Sequence, residues 1–261
     1  MRAARLIKVA ELRPNRAKRK LEQGGIVSVA LGPINADLIE HLCQLDFDAI
    51  WLEAEHGPVD FADIPDLTRA CDLWGMTSIV RVNQINPGVI YRTFDSGAMG
   101  VAVPHVNTAE EARAVVDAAK FGPIGHRGMF TSRQGIGVAD YVKKANEETM
   151  VVVLIEDIVS VRNLPEILEV DHIDVFFVAP GDLAQSMGYA GEYDHPEVVA
   201  TVEHSLRQIS EAGRVSGTLV SDSTVEHYIG LGARFLSVSW TPWLAAGAQA
   251  YLDRVKAASS T

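Results

Sequence analysis

"MVVVLIED", residues 150–157, followed by apolar positions at helical spacing over Val161–Glu169, is the stretch from which the fold can be read. Its Val- and Ile-rich run has the length of a buried strand, and two acids end it abruptly. Seven further runs repeat the design: "GIVSVALG" from Gly25, "DAIWLE" from Asp48, "TSIVRV" from Thr77, "GVAVPHV" from Gly100, "DVFFVAP" from Asp174, "VSGTLVS" from Val215 and "RFLSVSW" from Arg234. Helical patterns lie between them over Ala36–Leu45, Phe61–Leu73, Ala109–Lys120, Pro196–Glu211 and Thr224–Leu231, and Ala245–Ala257 closes the chain. Strand then helix, eight times, predicts a single α/β domain over residues 1–261, a (β/α)8 TIM barrel preceded by a helix over about residues 3–22. A doubly wound open sheet is the runner-up, but it usually carries a Gly-rich turn after its first strand, and "ALGPIN" is not one. The segment "PIGHRGMFTSRQGIGVAD", Pro123–Asp140, fits neither pattern and is expected as a loop over the barrel mouth.

Composition narrows the function classes. A formal net charge of -11 argues against nucleic-acid binding, and no apolar run approaches the length of a membrane span. The basic N-terminal segment lacks the apolar core of a secretory signal and reads as a solvated surface helix, so a cytoplasmic address is expected. Cys43 and Cys71 lie in helical patterns and read as buried thiols, not as a disulfide, a nucleophile or zinc ligands.

Barrel enzymes collect their chemistry at the C-terminal ends of the strands. Here that filter returns Glu53, Glu55, His56, Arg81, His105, Asn107, Glu156, Asp157, Asp182, Ser221, Asp222 and Trp240. Glu156 and Asp182, from neighbouring strands, suit a hard cation such as Mg²⁺ or Mn²⁺. Ion pairing, or for Asp182 the capping of a helix that begins near Leu183, is the competing reading. Arg81 interrupts an apolar strand, so it either faces a wet mouth to bind an anion or is held in a structural ion pair. His56 beside two glutamates reads equally as a hydrogen-bonded structural group. Arg127 and Arg133 on the long loop either steer anions or neutralise nearby acids. His105 and Asn107 read as loop-structuring groups.

Five stretches in order, "WLEAEHGPVD", "SIVRVN", "FDSGAMGVAVPHVNTAEEARAVVDAAKFGPIGHRGM", "VVVLIEDIVSVRNLPEIL" and "IDVFFVAPGDLAQSMGYAG", resemble the HpcH/HpaI aldolase family. The resemblance runs over roughly Gly24–Leu244. It implies a metal-dependent class II aldolase that cleaves or forms 4-hydroxy-2-oxo acids, such as 4-hydroxy-2-oxoheptanedioate, 2-keto-3-deoxy-L-rhamnonate or 2-dehydro-3-deoxyglucarate, with pyruvate or a close 2-oxo acid as nucleophile and an aldehyde as acceptor. The resemblance further implies Glu156 and Asp182 as ligands of a divalent ion, Mg²⁺ or Mn²⁺ with Co²⁺ as a further option, and no organic cofactor. The backbone around Gly181 and Asp182 then receives the pyruvate carboxylate, Arg81 holds the keto oxygen, and His56 moves protons. Asp95 raises the basicity of that histidine from a neighbouring subunit, within a hexamer built as a trimer of dimers with exchanged C-terminal helices. Glu53 and Glu55 are assigned to orienting work, and Gly57-Pro58 to the turn that aims His56.

This chain departs from the family pattern at several places. Leu154 stands where the family often has a substrate-contacting Gln, "APGDLA" where it commonly has Gly-Pro-Ala-Asp-Leu-Ser, and Glu53 where it commonly has Asp. "SVSWTPW" is bulkier than the usual last strand loop, and with Leu154 it suggests a less polar acceptor pocket. No Lys ends a strand, which argues against a Schiff-base aldolase. The rivals are an acyl-CoA lyase of the citrate-lyase type, a 2-oxo acid decarboxylase, and a catalytically silent barrel used as a binding module.

Overall fold

The computed structural model describes residues 10–259. Eight parallel strands, β1 Val27–Leu31, β2 Ala49–Glu53, β3 Thr77–Arg81, β4 Gly100–Val103, β5 Met150–Ile155, β6 Val175–Val178, β7 Ser216–Val220 and β8 Phe235–Ser239, close in sequence order into a barrel. The helices are α1 Arg16–Glu22, α2 Ala36–Cys43, α3 Ile64–Leu73, α4 Pro87–Asp95, α5 Ala109–Ala119, α6 Tyr141–Glu148, α7 Ile158–Arg162, α8 Leu164–Leu168, α9 Pro180–Ser186, α10 Pro196–Glu211, α11 Val225–Gly230 and α12 Thr241–Ser259. The expected (β/α)8 barrel is therefore present, and every apolar run singled out above is one of its strands.

Two apolar layers account for the continuous runs. Inward-facing residues, among them Val27, Ala49, Ile79, Val152, Leu154 and Phe235, form one cluster. Trp51 and Phe177 fill its centre, with ring centroids 5.3 Å apart. The opposite faces of the same strands pack against the helices, as Val101, Val153, Phe176 and Leu236 do beside Leu164 and Leu206. A strand covered on both faces must be apolar at every position, which is why the sequence shows runs where a half-solvated sheet would show alternation.

The N-terminal helix is shorter than expected and is not a solvated one. Residues 1–9 lie outside the described residues, and 10–15 are not helical. Pro14 disfavours helical backbone before it, and Asn15 takes the cap position with its side chain accepting from the Lys18 N–H at 3.1 Å. The helix then buries Ala17 and Leu21 against the inward-facing cluster and seals the N-terminal end of the barrel.

Asn15 is the fastening. Wholly buried, it donates through Nδ2 to the carbonyls of Met99 and Glu148 at 3.1 and 3.0 Å and accepts from the Thr77 hydroxyl at 2.8 Å.

The long segment Pro123–Asp140 is not over the mouth. It follows α5 and precedes α6 and β5, so it lies at the N-terminal end of the barrel, where helices return to strands. Its arginines neutralise acids there. Arg127 donates to Asp95 at 2.9 Å and stacks over Phe94 and Phe121, and Arg133 pairs with Asp72 at 2.5 Å. Cys43 and Cys71 are free, buried thiols, and burial pushes the Cys43 thiol up to about 11.

Replacing Asn15 with Ala strands two buried carbonyls and a hydroxyl, and is expected to lower unfolding free energy by about 2–4 kcal/mol. Urea denaturation followed by circular dichroism measures it, and an unchanged midpoint would show that water satisfies these groups instead.

Candidate active site

Strand alternation selects the groups that reach the mouth. Glu53 continues the inward face of Ala49 and Trp51, Arg81 that of Thr77 and Ile79, and Glu156 that of Val152 and Leu154. The register sets Glu53 directly beside Arg81. Arg81 Nε lies 2.7 Å from Glu53 Oε2 and 3.1 Å from Glu55 Oε2, so both glutamates hold one guanidinium.

Glu53 also shapes the turn after β2. Its Oε1 accepts from the backbone N–H groups of Glu55 and His56 at 2.8 and 3.0 Å, and its Oε2 accepts from the Trp51 indole at 3.2 Å. A Cβ at Gly57 would lie 2.6 Å from the Glu53 carbonyl oxygen, which only glycine avoids. His56 consequently leans out of the turn with 65% of its side chain exposed, its Nε2 3.8 Å from Glu55 Oε2. Beside it opens a cleft of about 310 Å³ lined by Leu31, Gly32, Pro33, Ile34, Glu53 and His56.

Glu156 is the most constrained acid of the site. It is only 1% exposed, its Oε1 accepts from the His105 backbone N–H at 2.8 Å, and its Oε2 is buried with no partner. Burial pushes its carboxyl up to about 7, helped by the charge of Asp182 and opposed by the His105 N–H and by the positive groups of His105 and Arg81. Asp182 is the third residue of α9, two beyond Pro180, and not the cap; Ala179 precedes the helix and offers no side-chain cap. An orphaned buried carboxylate oxygen beside a second carboxylate is the donor chemistry a hard divalent ion takes, with the remaining positions left to water and ligand. Among the described residues no group of three or more His, Cys, Asp or Glu is arranged to hold a metal ion.

The remaining candidates divide between the strand ends, the barrel interior and its far end. Leu154 is 1% exposed and lies in the barrel interior one layer below Glu156. Asp95 ends α4 at the opposite end of the barrel from His56, bonded to Arg127. Gly181 is exposed in the first turn of α9. Trp240 donates its backbone N–H to Leu31 and lays its indole against Gly32, where an added Cβ would meet Nε1 at 2.5 Å. Asp222 accepts from the Trp243 indole at 2.9 Å. Asn107 lies in the turn before α5, which Thr108 and Glu111 cap. The sequence reading did not foresee the contact of His105 with Glu156, because a histidine with left-handed backbone, φ 53°, carries no local signature.

A parallel barrel with titratable groups gathered at the C-terminal ends of β2, β3, β5 and β6 has the layout of an enzyme. Residues 31–243 match the model of the HpcH/HpaI aldolase/citrate lyase family, and the chain belongs to that family. It is 34% identical over 234 residues, 87% of this chain and 88% of the relative, to a 4-hydroxy-2-oxo-heptane-1,7-dioate aldolase of Klebsiella pneumoniae. Among solved structures it resembles an HpcH/HpaI aldolase/citrate lyase family protein of Burkholderia cenocepacia (TM-score 0.87, 27% identity, 93% of this chain and 99% of that one). An HpcH/HpaI aldolase of Desulfitobacterium hafniense is similar at TM-score 0.84 and 26% identity, over 92% of this chain and 96% of that one.

A carboxyl raised by folding favours the fold while protonated, so Glu156 stabilises fully below its unfolded value near 4.5 and loses that contribution as pH rises through about 7. Glu156→Gln is therefore expected to match the metal-free parent at pH 4.5 and to exceed it at pH 8 by up to about 3 kcal/mol. Denaturant titrations at the two pH values check this; a difference independent of pH would contradict the burial of the charge.

Proposed function

We propose that this chain is a divalent-metal-dependent aldolase that cleaves and forms 4-hydroxy-2-oxo acids, with pyruvate or a close analogue as the nucleophilic half and an aldehyde as the other. The observation that carries the reading is Glu156, a buried carboxylate with one oxygen pinned and the other unpartnered, next to the charge of Asp182 and facing that of Arg81. Mg²⁺ or Mn²⁺ held by Glu156 and Asp182 would supply Lewis-acid stabilisation where negative charge develops on a 2-oxo acid.

The chain's own residues do the rest. Arg81, fixed through Nε by two acids, presents the outer edge of its guanidinium as a second positive group toward the keto oxygen. The backbone of Gly181 and Asp182, in a first turn without a side-chain cap, receives the substrate carboxylate. His56 takes the proton of the C4 hydroxyl, directly or through water. The C3–C4 bond then breaks, the aldehyde leaves, and the electron pair of that bond forms the pyruvate enolate, which takes a proton at C3 from the protonated His56, directly or through water. The acceptor half occupies the cleft lined by Leu31, Gly32, Pro33 and Ile34, which is less polar than a second carboxylate would need. Asp95 reaches a histidine only in a neighbouring copy, since its own His56 lies at the other end of the barrel.

That copy is part of the proposal. The 19 residues of α12 include none that is buried, and Trp243, Leu244, Tyr251, Leu252 and Val255 expose apolar surface along it. A helix that leaves its own barrel in this way packs on another chain, in a homo-oligomer of the trimer-of-dimers kind.

With Mg²⁺ or Mn²⁺ the purified protein is expected to release pyruvate from 4-hydroxy-2-oxo acids, as followed by coupled lactate dehydrogenase, and EDTA is expected to abolish the release. Glu156→Ala and Arg81→Ala should each lower kcat about 10²–10³-fold. Absence of pyruvate release with every metal and chain length sinks the aldolase reading, and activity unaffected by Glu156→Ala sinks the metal assignment. A chain truncated after Trp240 should elute from size exclusion with light scattering at a smaller assembly than the parent; an unchanged mass removes α12 from the interface.

A further inference from the structure

His105 follows Pro104 at the end of β4 with φ 53°, a left-handed conformation that few residues other than glycine adopt without compensation from their surroundings. The compensation is visible in its contacts. That backbone turns the His105 N–H onto Oε1 of Glu156 at 2.8 Å, while the imidazole Nδ1 lies 3.0 Å from Asp157 Oδ2 and 3.6 Å from Glu156 Oε1. The turn is fastened beyond it too. Val106 is fully buried in the core between strands and helices, and Asn163 donates to the Asn107 carbonyl at 2.9 Å. Glu156 therefore has one oxygen fixed by a rigid backbone donor, and Oε2 alone lacks a protein partner.

We infer that His105 is a positioning residue for Glu156: its left-handed backbone supplies the N–H that fixes one carboxylate oxygen and presents the other to a cation. The inference rests on the metal reading of Glu156 and Asp182 given above. It explains why a strained conformation sits beside the buried acid. Partners of this kind, one step removed from the ion, commonly set metal affinity by orienting the ligand.

Mn²⁺ binding to the metal-stripped full chain, followed by loss of the free-ion electron paramagnetic resonance signal, separates backbone from side chain. Asn tolerates left-handed backbone and the β-branched Val does not. His105→Asn is expected to keep a Kd within about threefold of the parent and His105→Val to lose about tenfold or more, with both variants folded by circular dichroism in the absence of metal. Should the Val variant fail to fold, His105→Ala carries the same comparison, with an expected loss of several fold. Equal affinity in every variant overturns the inference, because the N–H then positions nothing. Equal loss in the Asn and Val or Ala variants also overturns it, because the imidazole itself would then be what the ion needs. Glu156→Ala separates the reading beneath: Mn²⁺ affinity that survives this change displaces the metal site itself, whatever the His105 variants do.

Discussion

The pairing of Arg81 with Glu53 and Glu55 is the constraint around which the mouth of the barrel is arranged. A guanidinium pointing inward above Ile79 and Trp51 cannot be left alone, since its desolvation would cost several kcal/mol. The two acids meet that demand, and in doing so they set the turn. Glu53 uses one oxygen on the arginine and the other on the N–H groups of Glu55 and His56, so the position of His56 follows from the position of Arg81. The ion pair is structural through Nε, and the same bond orients the remainder of the guanidinium and the histidine toward the space above the barrel.

Glu156 shows the opposite economy. Burial raises its carboxyl and works against the ionised form a cation requires. A site with a single backbone N–H on that carboxylate is less favourable for the empty protein than for the protein with a positive partner bound. The interior layers below, here Leu154, Trp51 and Phe177, supply the rigidity that keeps the carboxylate there.

Much of this was legible in the residues. Continuous Val and Ile runs report strands covered on both faces, and a charged residue that closes such a run, at inward register, has nowhere to go but the mouth; Glu53, Arg81 and Glu156 follow from that rule alone. The long loop was misplaced because its length was weighed without its connection. A segment that follows a helix and leads into a strand returns to the N-terminal end, so Arg127 and Arg133 meet Asp95 and Asp72 and never approach the mouth. The basic N-terminal stretch reads as a solvated helix because Arg13, Arg16, Lys18, Arg19 and Lys20 crowd it, yet Ala17 and Leu21 suffice to bury one face and Asn15 to cap it. The His105 turn left no trace, since nothing in "PHVN" announces a left-handed backbone.

The seal at the N-terminal end of the barrel has a consequence for the order of assembly. Asn15 precedes all its partners in the chain: Thr77, Met99 and Glu148 stand 62, 84 and 133 positions further along. Its docking surface does not exist until β3, β4 and the start of β5 have come together. The helix that closes the lower rim thus waits on chain that follows it, and until then that rim of the nascent barrel stays open to water and to other chains.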